Sequence, residues 1–166
     1  GKTLGKYQVL GVVGHGGMGE VYQGWDGKQA IALKILTGDI AKREDLLKRF
    51  EREAETLATL NHPNIVKVYD AGFSGEVYYM AMELVEGREL AEILRQRGAL
   101  PLAEITPFVS DVVAALNYAH NKGLVHRDIK PSNIMLRLKA DKETEEVVLM
   151  DFGVAKIQDA ATSITG

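Results

Sequence analysis

The spacing of apolar residues changes along this chain, and that change limits the fold more than any other feature. Three β-rich runs lie within residues 7–36, separated by a cluster of glycines and by an Asp-Gly turn sequence. Apolar residues then recur at three- and four-residue steps over residues 41–60, which predicts an amphipathic helix. Because strand-like runs follow at residues 65–69 and 77–84, we expect a five-stranded sheet with one helix.

The second half of the chain has the spacing of helices. Residues 88–97 and 103–121 are predicted to be helical, with Pro107 either in the first turn of the longer helix or at a kink. Two short strands, residues 134–138 and 147–150, are expected to flank a polar hairpin tip. A strand-rich half followed by a helix-rich half predicts an α+β chain with two lobes.

Composition argues against several classes of function. The formal net charge of −3 gives no sign of the clustered basic surface that nucleic-acid binding needs, and the lack of cysteine excludes disulfides and thiolate sites. The four histidines are far apart in sequence and show no metal-ligand spacing. No apolar run approaches the roughly 20 residues of a membrane-spanning helix, so we expect a cytoplasmic location, with any membrane anchor outside this chain.

A glycine cluster lies between the first two predicted strands. Gly14, Gly16, Gly19 and Val21 fit the pattern G-x-G-x-x-G-x-V. Glycine lets the backbone approach phosphates closely and present its N–H groups to them. A flexible hairpin without a ligand explains such a cluster equally well. A dinucleotide-binding turn does not explain it, because a strand rather than a helix follows the glycines.

One lysine, Lys34, lies within an apolar strand. Alternation along a strand would place a lone lysine in solvent, and that is the simpler interpretation. Because it follows Gly19 by fifteen residues, it could instead reach the phosphates of a nucleotide, and a buried lysine would then need an opposite charge. Glu53 on the predicted helix is the natural partner, although spacing alone does not separate it from Glu44, Glu51 and Glu55.

The strongest motif runs from His126 to Asn133 and reads His-Arg-Asp-Ile-Lys-Pro-Ser-Asn. It fits H-R-D-x-x-x-x-N, and an Asp-Phe-Gly triplet follows at residues 151–153, after the predicted pair of strands. Asp128 is suited to accept a proton from an attacking hydroxyl, while Asn133 and Asp151 offer the oxygen ligands that Mg²⁺ prefers. Both motifs in this order, downstream of the glycine cluster, leave little room for a chance match.

Together these motifs resemble those of the Hanks-type Ser/Thr protein kinases, specifically the bacterial branch. The resemblance runs from about Tyr7 to the end and includes the sequence Asn-His-Pro-Asn-Ile-Val at residues 61–66. It implies a two-lobe kinase fold. Residues 1–84 would form a lobe with a five-stranded antiparallel sheet and one helix, and residues 85–166 an incomplete, mainly helical lobe. We therefore expect a kinase fragment that ends in the activation segment and is inactive alone.

The resemblance implies the chemistry of ATP-dependent phosphoryl transfer to protein Ser or Thr hydroxyls. Asp128 would be the catalytic base. Lys130, two residues further on, is similar to the Ser/Thr kinase pattern and would neutralise charge on the transferred phosphoryl group. Lys34, paired with Glu53, would hold the phosphates of ATP.

ATP and Mg²⁺ are the cofactors that the resemblance implies. Asn133 and Asp151 would bind the metal. The expected ATP-binding residues form the glycine loop, the adenine pocket with its gatekeeper, the hinge and a ribose contact: Val13, Gly14, His15, Gly16, Gly17, Met18, Gly19, Val21, Ala32, Lys34, Met82, Glu83, Val85, Glu89 and Met135.

Regulation and partners follow from the same resemblance. Arg127 precedes the catalytic aspartate, similar to kinases that are switched on by phosphorylation of the activation segment. The candidate acceptors are polar residues for which an ordinary loop role is at least as good an interpretation: Thr162, Ser163 and Thr165. The implied partners are ATP, a protein with a Ser or Thr acceptor, and a second kinase chain in a dimer. A hydrophobic column through the lobes would comprise Leu57, Val68, His126 and Phe152.

Three alternative functions are left open by the sequence. A small-molecule kinase of the same broad fold is disfavoured by Lys130 and by the extended match around the glycine loop. A nucleotide-binding pseudokinase or scaffold is disfavoured because every residue expected to act in catalysis or metal binding is present. A truncated regulator that binds a partner through an unfinished lobe is suggested only by the position of the chain's end.

Overall fold

A computed structural model of the chain describes residues 2–16, 19–36 and 44–152. These residues divide into two compact units. The first unit comprises the residues up to Thr59 together with Lys67–Leu84, and the second comprises Leu60–Val66 together with the residues from Val85 onward.

The first unit is an antiparallel sheet of six strands with one helix, α1 (Glu44–Thr59), packed against β5. The strands follow the spatial order β1-β2-β3-β4-β6-β5. Their bounds are β1 (Thr3–Leu4), β2 (Tyr7–Gly16), β3 (Gly19–Trp25), β4 (Ala30–Leu36), β5 (Val68–Ser74) and β6 (Val77–Glu83).

Two details of the predicted sheet are wrong. A sixth strand, β1, pairs with the start of β2 because Gly5, with φ of +56°, allows a tight turn between them. Two residues are too few to show a strand period in the sequence. The strand expected at residues 65–69 lies later, at Val68–Ser74, because Ile65 and Val66 instead run beside a strand of the second unit.

The ends of the first sheet are tied together by polar contacts. The Tyr7 hydroxyl at the start of β2 donates to Asp70 on β5 at 3.2 Å, and the Lys6 ammonium lies 3.4 Å from the same carboxylate. Tyr7 also packs edge-on against Tyr79 in the core of this unit, with 5.9 Å between ring centroids. The sheet is therefore curled, since β2 and β5 are not neighbours in the strand order.

The second unit combines two helices with a three-stranded sheet in the order β7-β8-β9. The bounds are β7 (Arg88–Glu89), α2 (Leu90–Arg97), α3 (Leu102–Asn121), β8 (Ile134–Leu138) and β9 (Glu145–Leu149), with a 3₁₀ turn at Pro131–Asn133. The shorter helix begins two residues later than predicted because Arg88 and Glu89 pair with β8. Pro107 is the sixth residue of α3, beyond its first turn, and the helix continues through it.

The segment Leu60–Val66 forms the outer neighbour of β9. The Val66 N–H donates to Leu149 O at 2.9 Å, and the Leu149 N–H donates to Asn64 O at 2.8 Å. The buried Asn64 side chain donates to Val147 O at 2.8 Å. These bonds hold the end of β9, and with it the residues that follow, against a fixed neighbour. In the part of the chain that the structure describes, no helix is long and apolar enough to cross a membrane.

Candidate functional site

Four of the predicted nucleotide residues lie on one face of the first sheet, in adjacent register. Val21 on β3 pairs with Lys34 on β4, and Ala32 on β4 pairs with Met82 on β6. Directly paired residues share a face of the sheet, and so do residues two apart on one strand. The pairing therefore brings these four side chains into one continuous patch.

Lys34 is buried rather than directed to solvent. Its exposed fraction is 5%, and the neighbouring residues Ile31, Ala32 and Leu33 are equally buried because both faces of β4 are covered. A buried ammonium group needs a compensating charge nearby. The predicted partner, Glu53, belongs to α1, but its side chain lies outside what the structure describes, so this pairing stays a prediction.

The predicted glycine loop is the turn of the β2–β3 hairpin. Strand pairing continues almost to its tip, where His15 pairs with Glu20 and Gly16 pairs with Gly19. The tip residues, Gly17 and Met18, lie outside the described residues. A strand, β3, therefore follows the glycines, and this excludes a dinucleotide-binding turn, in which a helix would follow.

Space for a ligand lies beside the start of the loop. A Cβ atom built on Gly14 would meet no atom of the described residues within 4 Å. Val13, the residue before it, occupies a register shift of β2 that the sequence did not indicate, and its side chain is exposed. The open space at Gly14 is compatible with a close approach of phosphate to the backbone.

The predicted hinge residues differ in which backbone groups are already bonded. The Glu83 N–H donates to Lys67 O at 2.8 Å, so a ligand could use only the carbonyl of this residue. The Val85 N–H has no backbone acceptor among the described residues. An N–H donor without a backbone partner is what hydrogen bonding to the edge of an adenine ring requires.

In the second unit, the predicted ribose contact lies next to the predicted adenine contact. Glu89 on β7 pairs directly with Met135 on β8. Glu89 also precedes the first residue of α2, but its carboxylate makes no capping hydrogen bond to that helix. The carboxylate is therefore not committed to the helix end.

Asp128 is held by two side chains of its own loop. The buried Asn133 amide nitrogen donates to Asp128 O at 2.9 Å and to Asp128 Oδ2 at 3.0 Å. The Lys130 ammonium lies 3.4 Å from the same Oδ2. The other oxygen, Oδ1, has no hydrogen-bond or ionic partner among the described residues. One carboxylate oxygen is thus fixed while the other is left to meet a substrate.

His126 joins the loop of Asp128 to the strand before Asp151. Its Nδ1 accepts a hydrogen bond from the Asp128 N–H at 3.2 Å, and its Nε2 lies 2.8 Å from Met150 O. An acceptor at Nδ1 and a donor at Nε2 define the neutral imidazole with the proton on Nε2. Burial lowers the pKa of His126, against smaller opposing effects from the Met150 carbonyl and the nearby aspartates. The ring also packs on Phe152, with 4.4 Å between ring centroids.

The two predicted metal ligands are brought next to each other by the backbone. The Met150 N–H donates to Asn133 O at 2.9 Å, so Asp151 follows a residue bonded to Asn133. Because both hydrogen bonds of the Asn133 side chain use its nitrogen, its amide oxygen faces away from Asp128 and can serve as a ligand. Asp151 has φ of +43° and Arg127 has φ of +67°, an uncommon conformation for non-glycine residues that tends to occur at functional sites.

The donor set fits a magnesium ion. An amide oxygen and a carboxylate are hard oxygen ligands, and Mg²⁺ is commonly bound by one or two such groups together with the phosphates of a nucleotide. No group of three or more His, Cys, Asp or Glu side chains within the described ranges could form a cage for a metal. These residues would therefore hold a metal jointly with a phosphate ligand.

Several structural supports of the site were missed by the sequence reasoning. Asn64 and Arg137 anchor the segment beside β9, the latter through hydrogen bonds to Glu146 Oε1 and Pro63 O, both at 3.0 Å. The sequence of residues 61–66 is part of the family resemblance, but nothing in it indicates hydrogen bonds to strands about 80 residues away. The candidate phosphorylation sites lie outside the described residues: Thr162, Ser163 and Thr165.

The chain matches a known family over almost its whole length. The family model described as "Protein kinase domain" matches residues 7–165, so the chain belongs to the protein kinase family.

Its relatives include serine/threonine-protein kinases of bacteria. PknB of Mycobacterium leprae is 39% identical over 96% of this chain, and PrkC of Bacillus subtilis is 39% identical over 98% of it. A probable serine/threonine-protein kinase of Clostridium perfringens is 40% identical over 98% of the chain. The chain spans only 26%, 25% and 23% of the lengths of these three relatives.

Solved kinase structures share the fold. The crystal structure of the PknI kinase domain of Mycobacterium tuberculosis superposes with a TM-score of 0.83 at 35% sequence identity. The match covers 93% of this chain and 62% of that one. The predictions of a kinase-like α+β fold and of a bacterial Ser/Thr kinase family are thus confirmed, with the strand count corrected from five to six.

Proposed function

We propose that the intact protein is a Ser/Thr protein kinase that transfers the terminal phosphoryl group of ATP to a Ser or Thr hydroxyl of a protein. Residues 1–84 and 85–166 serve as its first lobe and as part of its second lobe. The observation that carries this proposal is the Asp128 carboxylate, which has one oxygen bonded to Lys130 and Asn133 and the other without a partner among the described residues.

Asp128 acts on the acceptor hydroxyl. Because Oδ2 is fixed by Asn133, Oδ1 is held in a defined direction and can accept the hydroxyl hydrogen bond and then the proton. Lys130 lies beside this carboxylate with an exposed ammonium group, which suits it to offset the charge of the transferred phosphoryl group. Most of the catalysis would come from such positioning and charge compensation.

Asn133 and Asp151 hold the metal. When Mg²⁺ is bound, it neutralises charge on the phosphates and helps to orient them. His126 and the Met150 backbone keep the two ligand-bearing segments in register, since the Met150 N–H donates to Asn133 O and the Met150 carbonyl is bonded to His126.

The predicted nucleotide-binding residues have the roles that the resemblance implies. Lys34, paired with Glu53, contacts the phosphates, while the backbone of the glycine loop lies over them. By the same resemblance, Val21, Ala32 and Met135 would contact the adenine and Met82 would be the gatekeeper, while the hinge and ribose contacts would come from Glu83, Val85 and Glu89. The cross-strand register of Val21, Ala32, Lys34 and Met82 supports this assignment.

A phosphotransfer assay on the intact protein tests the proposal. With radiolabelled ATP, Mg²⁺ and casein as acceptor, we expect phosphoserine or phosphothreonine to form. The Asp128→Asn variant should transfer phosphate about 10²–10⁴-fold more slowly. Lys28→Glu, on an exposed turn of the first unit, is a control that should retain the rate. Transfer that survives Asp128→Asn, or a protein that binds MgATP without transferring phosphate, would contradict the proposal. The second of these results would instead indicate a nucleotide-binding pseudokinase.

Two further expectations belong to the same proposal. A kinase–kinase dimer stays a prediction, which sedimentation equilibrium of the intact protein tests directly. A cytoplasmic site of action also stays a prediction, and fractionation of cells that express the intact protein tests it.

A further inference from the structure

Strand β8 extends beyond its neighbour β7 and leaves an open edge. The two residues of β7, Arg88 and Glu89, pair only with Leu136 and Met135. On its other side, β8 pairs with β9 along its whole length, up to Leu138. The last part of β8 therefore has a sheet partner on one side only.

The backbone of Leu138 points toward this open edge. The Lys139 N–H donates to Thr144 O in the β8–β9 hairpin, and Asn133 O accepts from Met150 on the same side. Because alternate residues of an antiparallel strand direct their N–H and C=O groups to opposite edges, Leu138 directs both groups away from β9. Among the described residues, no backbone hydrogen bond on that side involves Leu138.

A groove runs along the open edge. Its inner end is formed where Gly87 crosses β8 so closely that a Cβ atom there would lie 2.3 Å from Leu136 O. From that point the chain diverges and leaves a cavity of about 570 Å³. The cavity is lined by Glu86, Gly87, Arg88, Leu136, Leu138, Lys139, Lys142 and Glu145. The Leu138 side chain, 56% exposed, offers an apolar contact beside the unpaired backbone groups.

The charges of this groove favour an acidic occupant. Arg88 and Glu145 neutralise each other across the sheet, with 2.8 Å between their charged groups. Lys139 and Lys142 both line the groove. They are joined by a tight turn in which the Lys142 N–H donates to Lys139 O at 2.9 Å. Glu86 is the one acidic lining residue left to oppose these two lysines. Asp141, in the same turn, offsets part of the charge of Lys139, but it does not line the groove and its carboxylate accepts from the Glu143 and Thr144 N–H groups.

We propose that the open edge of β8 at Leu138 is a docking site for an extended protein segment with alternating apolar and acidic side chains. The segment adds as a fourth strand, its backbone bonding to Leu138, an apolar side chain covering Leu138 and an acidic side chain meeting Lys139 and Lys142. That this segment belongs to the protein that receives the phosphate rests on the proposed kinase function, whereas the binding of the segment to β8 does not.

Lysines at an exposed strand edge also have a simpler role, since they discourage edge-to-edge aggregation. That role predicts no binding of an extended peptide, so a binding measurement separates the two explanations. The probe is a fluorescein-labelled peptide of alternating Val and Glu, about eight residues long. Its binding to the full chain is followed by fluorescence anisotropy without nucleotide.

The Leu138→Pro variant removes the edge N–H and none of the hydrogen bonds between β8 and β9, because proline is tolerated on the unpaired side of a strand. We expect it to weaken peptide binding at least about tenfold. A second variant, Lys139→Glu with Lys142→Glu, keeps the test valid if the proline variant unfolds, and it should weaken binding to a similar degree. Lys2→Glu with Lys28→Glu changes the charge equally in the first unit and should leave binding intact.

Several outcomes would overturn the proposal. These are no binding by the wild type, equal binding of a Val-Lys peptide, or binding that neither set of β8 variants weakens. Concentration-dependent dimerisation that Leu138→Pro abolishes would assign the edge to a second copy of the chain instead. In the intact protein, an acceptor peptide fused to the Val-Glu segment should have a KM about tenfold below that of the unfused acceptor, and Leu138→Pro should remove this difference without lowering kcat.

The docking site and the proposed function can fail separately. Peptide binding without MgATP binding would leave the docking site standing and refute the kinase function. Phosphotransfer with no preference for the fused acceptor would support the kinase function and refute the docking site.

Discussion

The His126→Phe variant tests the link between the two loops of the candidate site. Phenylalanine preserves an aromatic ring to pack against Phe152 but can neither accept from the Asp128 N–H nor donate to Met150 O. Because His126 is 1% exposed, water cannot easily replace the lost partners.

The magnitude follows from these two bonds. Leaving a buried donor or acceptor without a partner costs about 1–3 kcal/mol per group. With the Asp128 N–H and the Met150 carbonyl both affected, we expect the free energy of unfolding of the second unit to fall by about 2–6 kcal/mol. His120→Phe, at an exposed position on the same unit, is the control and should change it by less than about 0.5 kcal/mol.

The pH dependence of stability supplies a second readout. Burial lowers the pKa of His126 in the folded state below its ordinary value of 6.5, so between these two pKa values the unfolded chain binds more protons. The stabilisation is therefore complete above pH 6.5 and is lost as the pH falls from 6.5 through the folded pKa. This part of the pH dependence should be absent from His126→Phe.

Urea unfolding monitored by circular dichroism, at pH 7.5 and at pH 5.5, measures both effects. Amide hydrogen exchange should also show faster exchange at Asp128 in the variant, because its N–H loses its acceptor. A variant as stable as the wild type at both pH values, with unchanged exchange at Asp128, would refute the bridging role of His126.

Three further substitutions have defined outcomes. Gly14→Ala should leave the melting temperature unchanged, because its Cβ meets no atom within 4 Å in the part of the chain that the structure describes, yet it should weaken ATP binding in calorimetry; an unchanged ATP affinity would count against phosphate binding at this loop. Gly87→Ala should destabilise the second unit by about 1–3 kcal/mol in urea unfolding, because its Cβ would collide with Leu136 O, whereas Gly11→Ala has open space and should be neutral. Arg137→Met should cost about 1–3 kcal/mol by leaving Glu146 and Pro63 O without this donor, with Arg137→Lys in between; a neutral Arg137→Met would show that the segment beside β9 is held without it.

The fold was largely predictable because its elements have clear periods. The short apolar run in residues 29–36 and the three- and four-residue steps before Asn61 indicate β4 and α1. The errors lie where length or tertiary pairing decides the outcome. β1 has only two residues, too few to show a period. Ile65 and Val66 have the sequence of a strand in the first sheet, but Ile65 forms a bridge with Leu149 of β9 and the Val66 N–H donates to Leu149 O.

Candidate site residues came from motif spacing, whereas their supports did not. The sequence indicates Asp128 and Asn133 as functional residues, but not that the Asn133 amide nitrogen holds one oxygen of Asp128. Nor does it indicate that His126 is neutral with its proton on Nε2, since that depends on two partners brought close only by folding. Hydrogen bonds between distant segments leave no local pattern, so Asn64 and Arg137 could not be assigned from the sequence.

The most direct test of the central claim is calorimetry of ATP binding to the chain, with and without Mg²⁺, alongside the Asp151→Ala variant. The account predicts binding that requires Mg²⁺ and that weakens at least about tenfold in the variant, because Asp151 and Asn133 hold the metal with the phosphates. Binding that is indifferent to Mg²⁺ and to Asp151→Ala would contradict it.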